Sequence, residues 1–129
     1  MEQRQDYLEK QINNLGLVLN KILSNTKLLD EENGVKHFFS LVQEQTGVDL
    51  QRTIISKDLL FSLTNSGQIS RENIFEIIDI MLLLHNNDDV STAELKNTLV
   101  MLDYIQSTSK DYSFDIHLKM KKIEEKLID

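Results

Sequence analysis

The stretch ISRENIFEIIDIMLLL, residues 69–84, decides the fold class of this chain. Its second residue, Ser70, can accept a hydrogen bond from a free backbone amide in the first turn of a helix. From Ile74 onward the stretch is apolar on almost every face of a helix, interrupted by Glu76 and Asp79 alone. A helix of this composition lies at the centre of a core or presents a second apolar face to a partner.

Four serines that follow a hydrophobic residue are candidate helix starts, namely Ser56, Ser70, Ser91 and Ser113. After the first three of these serines, the fourth residue along is also apolar, which completes a hydrophobic staple at a helix start. Ser91 is followed by Glu94 at the capping-box position, so this boundary is the best defined. The last three serines are 21 and 22 positions apart, a spacing that predicts antiparallel helical hairpins in series.

The start of the chain has the pattern of an amphipathic helix over about residues 4–24. Gly16 falls inside this helix, where glycine costs about 0.5–1 kcal/mol relative to Ala. Either another backbone approaches closely there, which is the favoured interpretation, or the cost is tolerated. We expect the apolar face to pack onto the body of the protein or onto the same helix of another copy. The residues predicted for that contact are Leu8, Ile12, Leu15, Gly16, Leu19 and Ile22.

A second helix is predicted by four apolar residues at helical spacing, and Gly47 is expected to end it. The four residues are Val35, Phe38, Phe39 and Val42. Residues 48–55 fit either a short helix or an irregular connector. Alternation of apolar and polar residues never lasts long enough to predict a strand.

The sequence therefore predicts an all-α protein, a single-domain bundle of about six helices over residues 1–129. Residues 1–28 are expected to form a long amphipathic N-terminal helix. Residues 29–129 are expected to form a body of antiparallel helical hairpins. The absence of Pro from the whole chain agrees with long uninterrupted helices.

The composition excludes several functional classes. The chain has no Cys, which excludes disulfides, thiolate catalysis and iron–sulfur clusters. Its net charge of −7, from 21 acidic and 14 basic residues, argues against a nucleic-acid ligand, because phosphate binding needs a basic surface. The polar face of the first helix is mostly neutral, which argues against binding to a membrane. The N-terminus has no signal-peptide pattern, so a cytoplasmic protein is expected.

The charge is also unevenly distributed along the chain. Residues 71–115 carry nine acidic and three basic side chains, whereas residues 117–129 carry four lysines against three acidic side chains. We interpret the lysines mainly as a solvated helix face with partners one turn away. The alternative is that they steer the docking of a second copy against the acidic middle of the chain.

No pattern of catalytic, cofactor-binding or metal-ligating residues is present. The three histidines lack the Glu-x-x-His and His-Glu-x-x-His spacings of metal sites. The four glycines are too scattered to form a phosphate-binding loop. We therefore predict no cofactor and no metal. The alternative class is a small-ligand or enzymatic bundle with a site near His85, Tyr104 or His117.

Two segments resemble a known group of proteins. Asp6-Tyr7-Leu8 together with the apolar positions that follow it, and the run from Tyr112 to Ile123, are similar to the opening and closing helices of small uncharacterised bacterial helical proteins grouped as a domain of unknown function. The resemblance implies an all-α fold with C-terminal hairpins like those of tetratricopeptide repeats. It implies no activity and no functional residue.

The leading functional hypothesis is a non-catalytic helical interaction protein. It would form a homo-oligomer, with a dimer favoured, or bind another protein. The predicted contact surfaces are the first helix and the apolar surplus of the helix that begins after Ser70. Two observations motivate this hypothesis, namely the regular apolar spacing of the first helix and an almost wholly apolar helix in a chain of 129 residues.

Overall fold

A computed structural model describes residues 15–31, 33–85, 90–109 and 113–128. These residues form helices, turns and connectors without any strand, which confirms the predicted all-α class. None of the helices in this part of the chain is long and apolar enough to cross a membrane. The elements are α1 (residues 15–24), a 3-10 turn at Thr26–Leu29, α2 (Gly34–Thr46), α3 (Lys57–Asn65), α4 (Arg71–Leu84), α5 (Thr92–Thr108) and α6 (Phe114–Ile128).

The four serines predicted to begin helices all act as N-caps. The Ser56 hydroxyl accepts a hydrogen bond from the Leu59 amide at 3.1 Å. The other three, Ser70, Ser91 and Ser113, accept equivalent bonds at 3.0, 3.1 and 3.3 Å. Each bond satisfies one of the amides that a helix start leaves without a partner in the helix itself.

The capping box lies at a different serine from the predicted one. At Ser91 the predicted box does not form, because the Glu94 carboxylate accepts a hydrogen bond from the Gln51 side chain at 3.1 Å. A complete box is found instead at Ser70, where the Asn73 side-chain oxygen accepts from the Ser70 amide at 3.0 Å.

Two glycines set the ends of α2. Gly47 has φ of +78°, and its amide donates to the carbonyl of Gln43 at 2.7 Å, so it ends the helix as predicted. Gly34, at the other end, lies against the preceding turn. A Cβ atom there would come within 2.0 Å of the Leu28 carbonyl oxygen, so only glycine fits.

The helix α5 is the centre of the packing, in contact with α3, α4 and α6. The start of α4 lies beside the end of α5, and its C-cap, His85, lies beside Thr98 in the first half of α5. The two helices are therefore antiparallel, as the spacing of the serines predicts. The core includes the fully buried Phe38, Ile74, Ile80, Met81 and Ile105.

Arg71 joins the start of α4 to the end of α5. Its guanidinium donates hydrogen bonds to the Ile105 carbonyl at 3.0 Å, to the Ser109 hydroxyl at 2.7 Å and to the Thr108 hydroxyl. The same group lies 5.7 Å from the centre of the Phe75 ring. A cation at this position stabilises the negative end of the α5 dipole and satisfies a terminal carbonyl.

The segment between α2 and α3 is an irregular connector, and the side chain of Asn97 on α5 makes three hydrogen bonds to its backbone. Asn97 is fully buried, and its side-chain oxygen accepts from the Ile55 amide at 2.7 Å. Its side-chain nitrogen donates to the carbonyls of Leu50 and Thr53, each at 2.7 Å. The side-chain amide of Asn97 thus binds backbone groups of the connector that have no hydrogen-bond partner in a helix.

Candidate functional site

The structure places most of the predicted contact residues of α1 inside the protein itself. Leu15 and Leu19 are fully buried and Ile22 is 6% exposed, all three in the core formed with the other helices. Leu8 and Ile12 lie outside the described residues. Because the core already covers Leu15, Leu19 and Ile22, a docking surface on the described part of the chain must consist of other side chains.

Gly16 also lies against the body of the protein. Among the described residues, the nearest atom to a Cβ placed there is the Asn73 side-chain nitrogen at 3.5 Å, an ordinary van der Waals distance. The close approach of a backbone, which is the favoured interpretation of the sequence, is therefore not found among the described residues. The side chain of Asn73 on α4 lies there instead.

Replacement of Gly16 by Ala should consequently stabilise the protein by about 0.5–1 kcal/mol, because it removes the flexibility of glycine from a helix interior. Urea unfolding followed by circular dichroism measures the change. The matched control is Gly34→Ala, which we expect to be strongly destabilising because its Cβ would overlap the Leu28 carbonyl. A loss of stability in Gly16→Ala would contradict this account of the site.

The three side chains predicted as an alternative ligand site do not come together. The Tyr104 hydroxyl lies 2.8 Å from the Thr64 hydroxyl and joins α5 to α3. His85 is at the end of α4, beneath Lys126 of α6. His117 is nine positions before Lys126, which is about 13 Å along a helix.

The gap between α2, α3, α4 and α5 is too small to be a ligand cavity. That gap has a volume of about 20 Å³ and is lined mainly by aliphatic side chains such as Val42, Leu63 and Ile77. Small-molecule sites usually occupy roughly 300–1,000 Å³. The gap is therefore a packing defect of the size of one water molecule.

Two adjoining hollows run across the outer side of α4. One, of about 520 Å³, lies between the end of α1, α4 and α6, and the other, of about 510 Å³, lies between α4 and α6. They share Leu82 and Lys119, so they form one surface, which we call the α4 groove. Its lining residues are Leu23, Thr26, Asp79, Leu82, Leu83, His85, Lys119, Lys122, Ile123, Glu125 and Lys126.

The apolar surplus that the α4 sequence predicts consists of Leu82 and Leu83 in the groove and Phe75 two turns before Leu83. Phe75 is 42% exposed and Leu83 is 38% exposed, while Leu82 between α4 and α6 is partly buried. Phe75, Asp79 and Leu83 follow one another at steps of four positions, so they form one stripe along the helix. The stripe lies outside the core because the opposite faces of α4 are already packed.

The α6 side of the groove is basic. Lys119, Lys122 and Lys126 follow one another at steps of three and four positions and line the hollow together. Lys119 also lies 3.0 Å from the Asp115 carboxylate, and Lys126 donates a hydrogen bond to the His85 carbonyl. The lysines that the sequence suggests as a solvated face are thus one wall of the α4 groove.

The face of α4 that leads into the groove is acidic, and Asp79 on this face lines the groove itself. Glu72 and Asp79 are exposed, and Glu76 lies between them and is partly buried. Burial raises the pKa of the Glu76 carboxyl above its usual 4.5; a hydrogen bond from the Asn73 side chain at 3.4 Å opposes this, whereas the charges of Glu72 and Asp79 add to it. The surface therefore carries an acidic stripe next to a basic wall.

His85 lies at the inner end of the groove and is 5% exposed. Its Nε2 atom is 3.1 Å from the Thr98 hydroxyl, while its Nδ1 atom has no hydrogen-bond partner among the described residues. Burial first and the charge of Lys126 second lower the pKa of the imidazole from 6.5 to about 4. The ring is therefore neutral at pH 7 and serves as a polar end to α4.

The chemistry of the groove is that of a contact surface. In the part of the chain that the structure describes, no three His, Asp or Glu side chains converge as a metal site requires. What the groove offers is exposed apolar area bordered by charges of both signs, which is the composition of protein–protein contacts. The apolar surplus of α4 and the lysines of α6 are each visible in the sequence. That they lie side by side depends on how α6 packs, which the sequence pattern does not show.

Comparison with known proteins adds no relative: no family model matches the chain, and no curated protein or solved structure is significantly similar to it. The function proposed below is therefore supported by the surface of the protein and by its sequence alone.

Proposed function

We propose that this protein is a non-catalytic helical interaction domain that associates with a second copy of itself. The observation that carries this proposal is the apolar surplus on α4, where Phe75 and Leu83 are exposed although the core beneath them is closely packed. Water contact with side chains of this size is unfavourable by roughly 25 cal/mol for each Å² of apolar surface. A partner that covers them gains this free energy.

The packing of the interior supports an interaction function over binding of a ligand within the bundle. A gap of about 20 Å³ between the helices is too small for a metabolite. The α4 groove, in contrast, is an open surface that extends over three helices. An open surface of this shape fits a protein face better than a small molecule.

The expected result is that the purified protein has twice the 15.0 kDa mass of one chain at high micromolar concentration. Light scattering coupled to size-exclusion chromatography measures this mass, and a dilution series gives the dissociation constant. The mass should decrease toward that of one chain on dilution, because a small apolar patch supports a weak interface. A strict monomer at every concentration contradicts the proposal.

A further inference from the structure

We propose that the α4 groove of one copy docks against the α4 groove of a second copy, so that the basic wall of each chain meets the acidic stripe of the other. This inference rests on the proposed self-association and adds the surface and the charge pattern that would carry it. The basic group is Lys119, Lys122 and Lys126 on α6, which line the groove together with Glu125. The acidic group is Glu72, Glu76 and Asp79 on α4, of which Asp79 lines the groove and the other two precede it on the same helix.

The charges on this face match a second copy because both signs are present side by side. A two-fold interface uses the same patch on both chains, so a patch must be complementary to itself. An acidic stripe beside a basic wall fulfils this condition when one copy is turned over against the other. A patch of a single sign would repel its own copy.

The net negative charge of the protein favours association at the basic wall over association at other faces. Each chain carries a net charge of −7, so two copies repel each other over most of their surfaces. The row of Lys119, Lys122 and Lys126 is a local exception. A second copy that approaches with its acidic stripe is therefore favoured at this wall over other faces.

The apolar side chains supply the rest of the contact. Phe75 and Leu83 lie on either side of Asp79 along α4, about 12 Å apart. On α6, Leu118 is 44% exposed and precedes Lys122 by one turn, and Phe114, one turn earlier, is 65% exposed. These side chains extend the apolar area from α4 past the lysines.

Another exposed aromatic provides a comparison within the same chain. Phe61 on α3 is 59% exposed, and neither of the hollows that form the α4 groove contains it. The face around Phe61 therefore has exposed apolar area that the proposed interface does not use. It is the control surface for the experiment.

The test uses two charge-reversed proteins. The first, Lys119→Glu/Lys122→Glu, has a predominantly acidic groove in which Lys126 is the remaining lysine, and the second, Glu72→Lys/Asp79→Lys, has a predominantly basic one. We expect each alone to dimerise about tenfold more weakly than the wild type or worse, because like charges then face each other. An equimolar mixture should form a heterodimer, since each reversed group then faces a group of opposite charge across the interface. Circular dichroism of each protein verifies that it is folded.

Each outcome assigns the result to one of the two proposals. A wild-type protein that is monomeric throughout contradicts self-association and the inference together. A wild-type dimer whose charge-reversed forms dimerise with unchanged affinity preserves self-association and overturns the groove as its interface. Weakened variants that do not recover on mixing overturn the charge-matched arrangement. The control Phe61→Ser should dimerise like the wild type, whereas Leu83→Ser should not.

Discussion

Replacement of Asn97 by Leu should lower the free energy of unfolding by about 3 kcal/mol or more. Asn97 is fully buried and binds one amide and two carbonyls of the connector between α2 and α3. Leucine has a similar volume, so the loss does not come from a cavity. It comes from backbone groups that are left without partners, each at a cost of about 1–3 kcal/mol when buried.

Two measurements separate this effect from general damage to α5. Hydrogen exchange at the Ile55 amide reports the bond directly, and it should become much faster in Asn97→Leu because that amide loses its acceptor. The matched control is Asn65→Leu at the exposed end of α3, which should change stability by less than about 0.5 kcal/mol. Unchanged protection of Ile55 would contradict the role assigned to Asn97.

Acidification from pH 6.5 to about pH 4 should destabilise the protein by about 3 kcal/mol through His85 alone. In the folded protein, burial first and Lys126 second lower the pKa of this imidazole to about 4, whereas in the unfolded chain it is near 6.5. Between these values the unfolded chain binds the proton and the folded protein does not. The stabilisation is therefore complete above pH 6.5 and is lost as the pH falls through this window.

Urea unfolding at several pH values between 7.5 and 4 measures this slope. Other groups also titrate in this range, and the raised pKa of Glu76 acts in the opposite direction. The difference between the wild type and His85→Gln isolates the histidine, because the variant lacks its titration. His37→Gln is the matched control, since His37 is exposed. An equal slope in wild type and His85→Gln would contradict the prediction.

The helix starts could be predicted from the sequence because their causes are local. Each capping serine binds an amide three positions away, and that amide is part of the same short segment. The capping box at Ser91 could not be predicted correctly, because Glu94 is bound by Gln51, which is 43 positions away. A local sequence pattern does not show that a distant side chain such as Gln51 binds the carboxylate that the capping box would use.

The candidate site could be predicted only in part. The surplus of apolar residues on α4 depends on the composition of one helix, so it is visible in the sequence. The placement of Lys119 and Lys122 beside that helix depends on the way in which α6 packs, which no spacing reveals. Asn97 looks like an ordinary helix residue, because all three groups that it binds are 42–47 positions away.

The hairpin of α4 and α5 has a consequence for the order of folding. Arg71 fastens one end of the hairpin and the contact of His85 with Thr98 fastens the other. The contact of His85 with Thr98 spans 13 positions and those of Arg71 span 34–38, whereas the bonds of Asn97 to the connector span 42–47. Contacts of shorter separation cost less loop-closure entropy. The hairpin can accordingly form early in folding, and the α2–α3 connector can then bind to Asn97 on its surface.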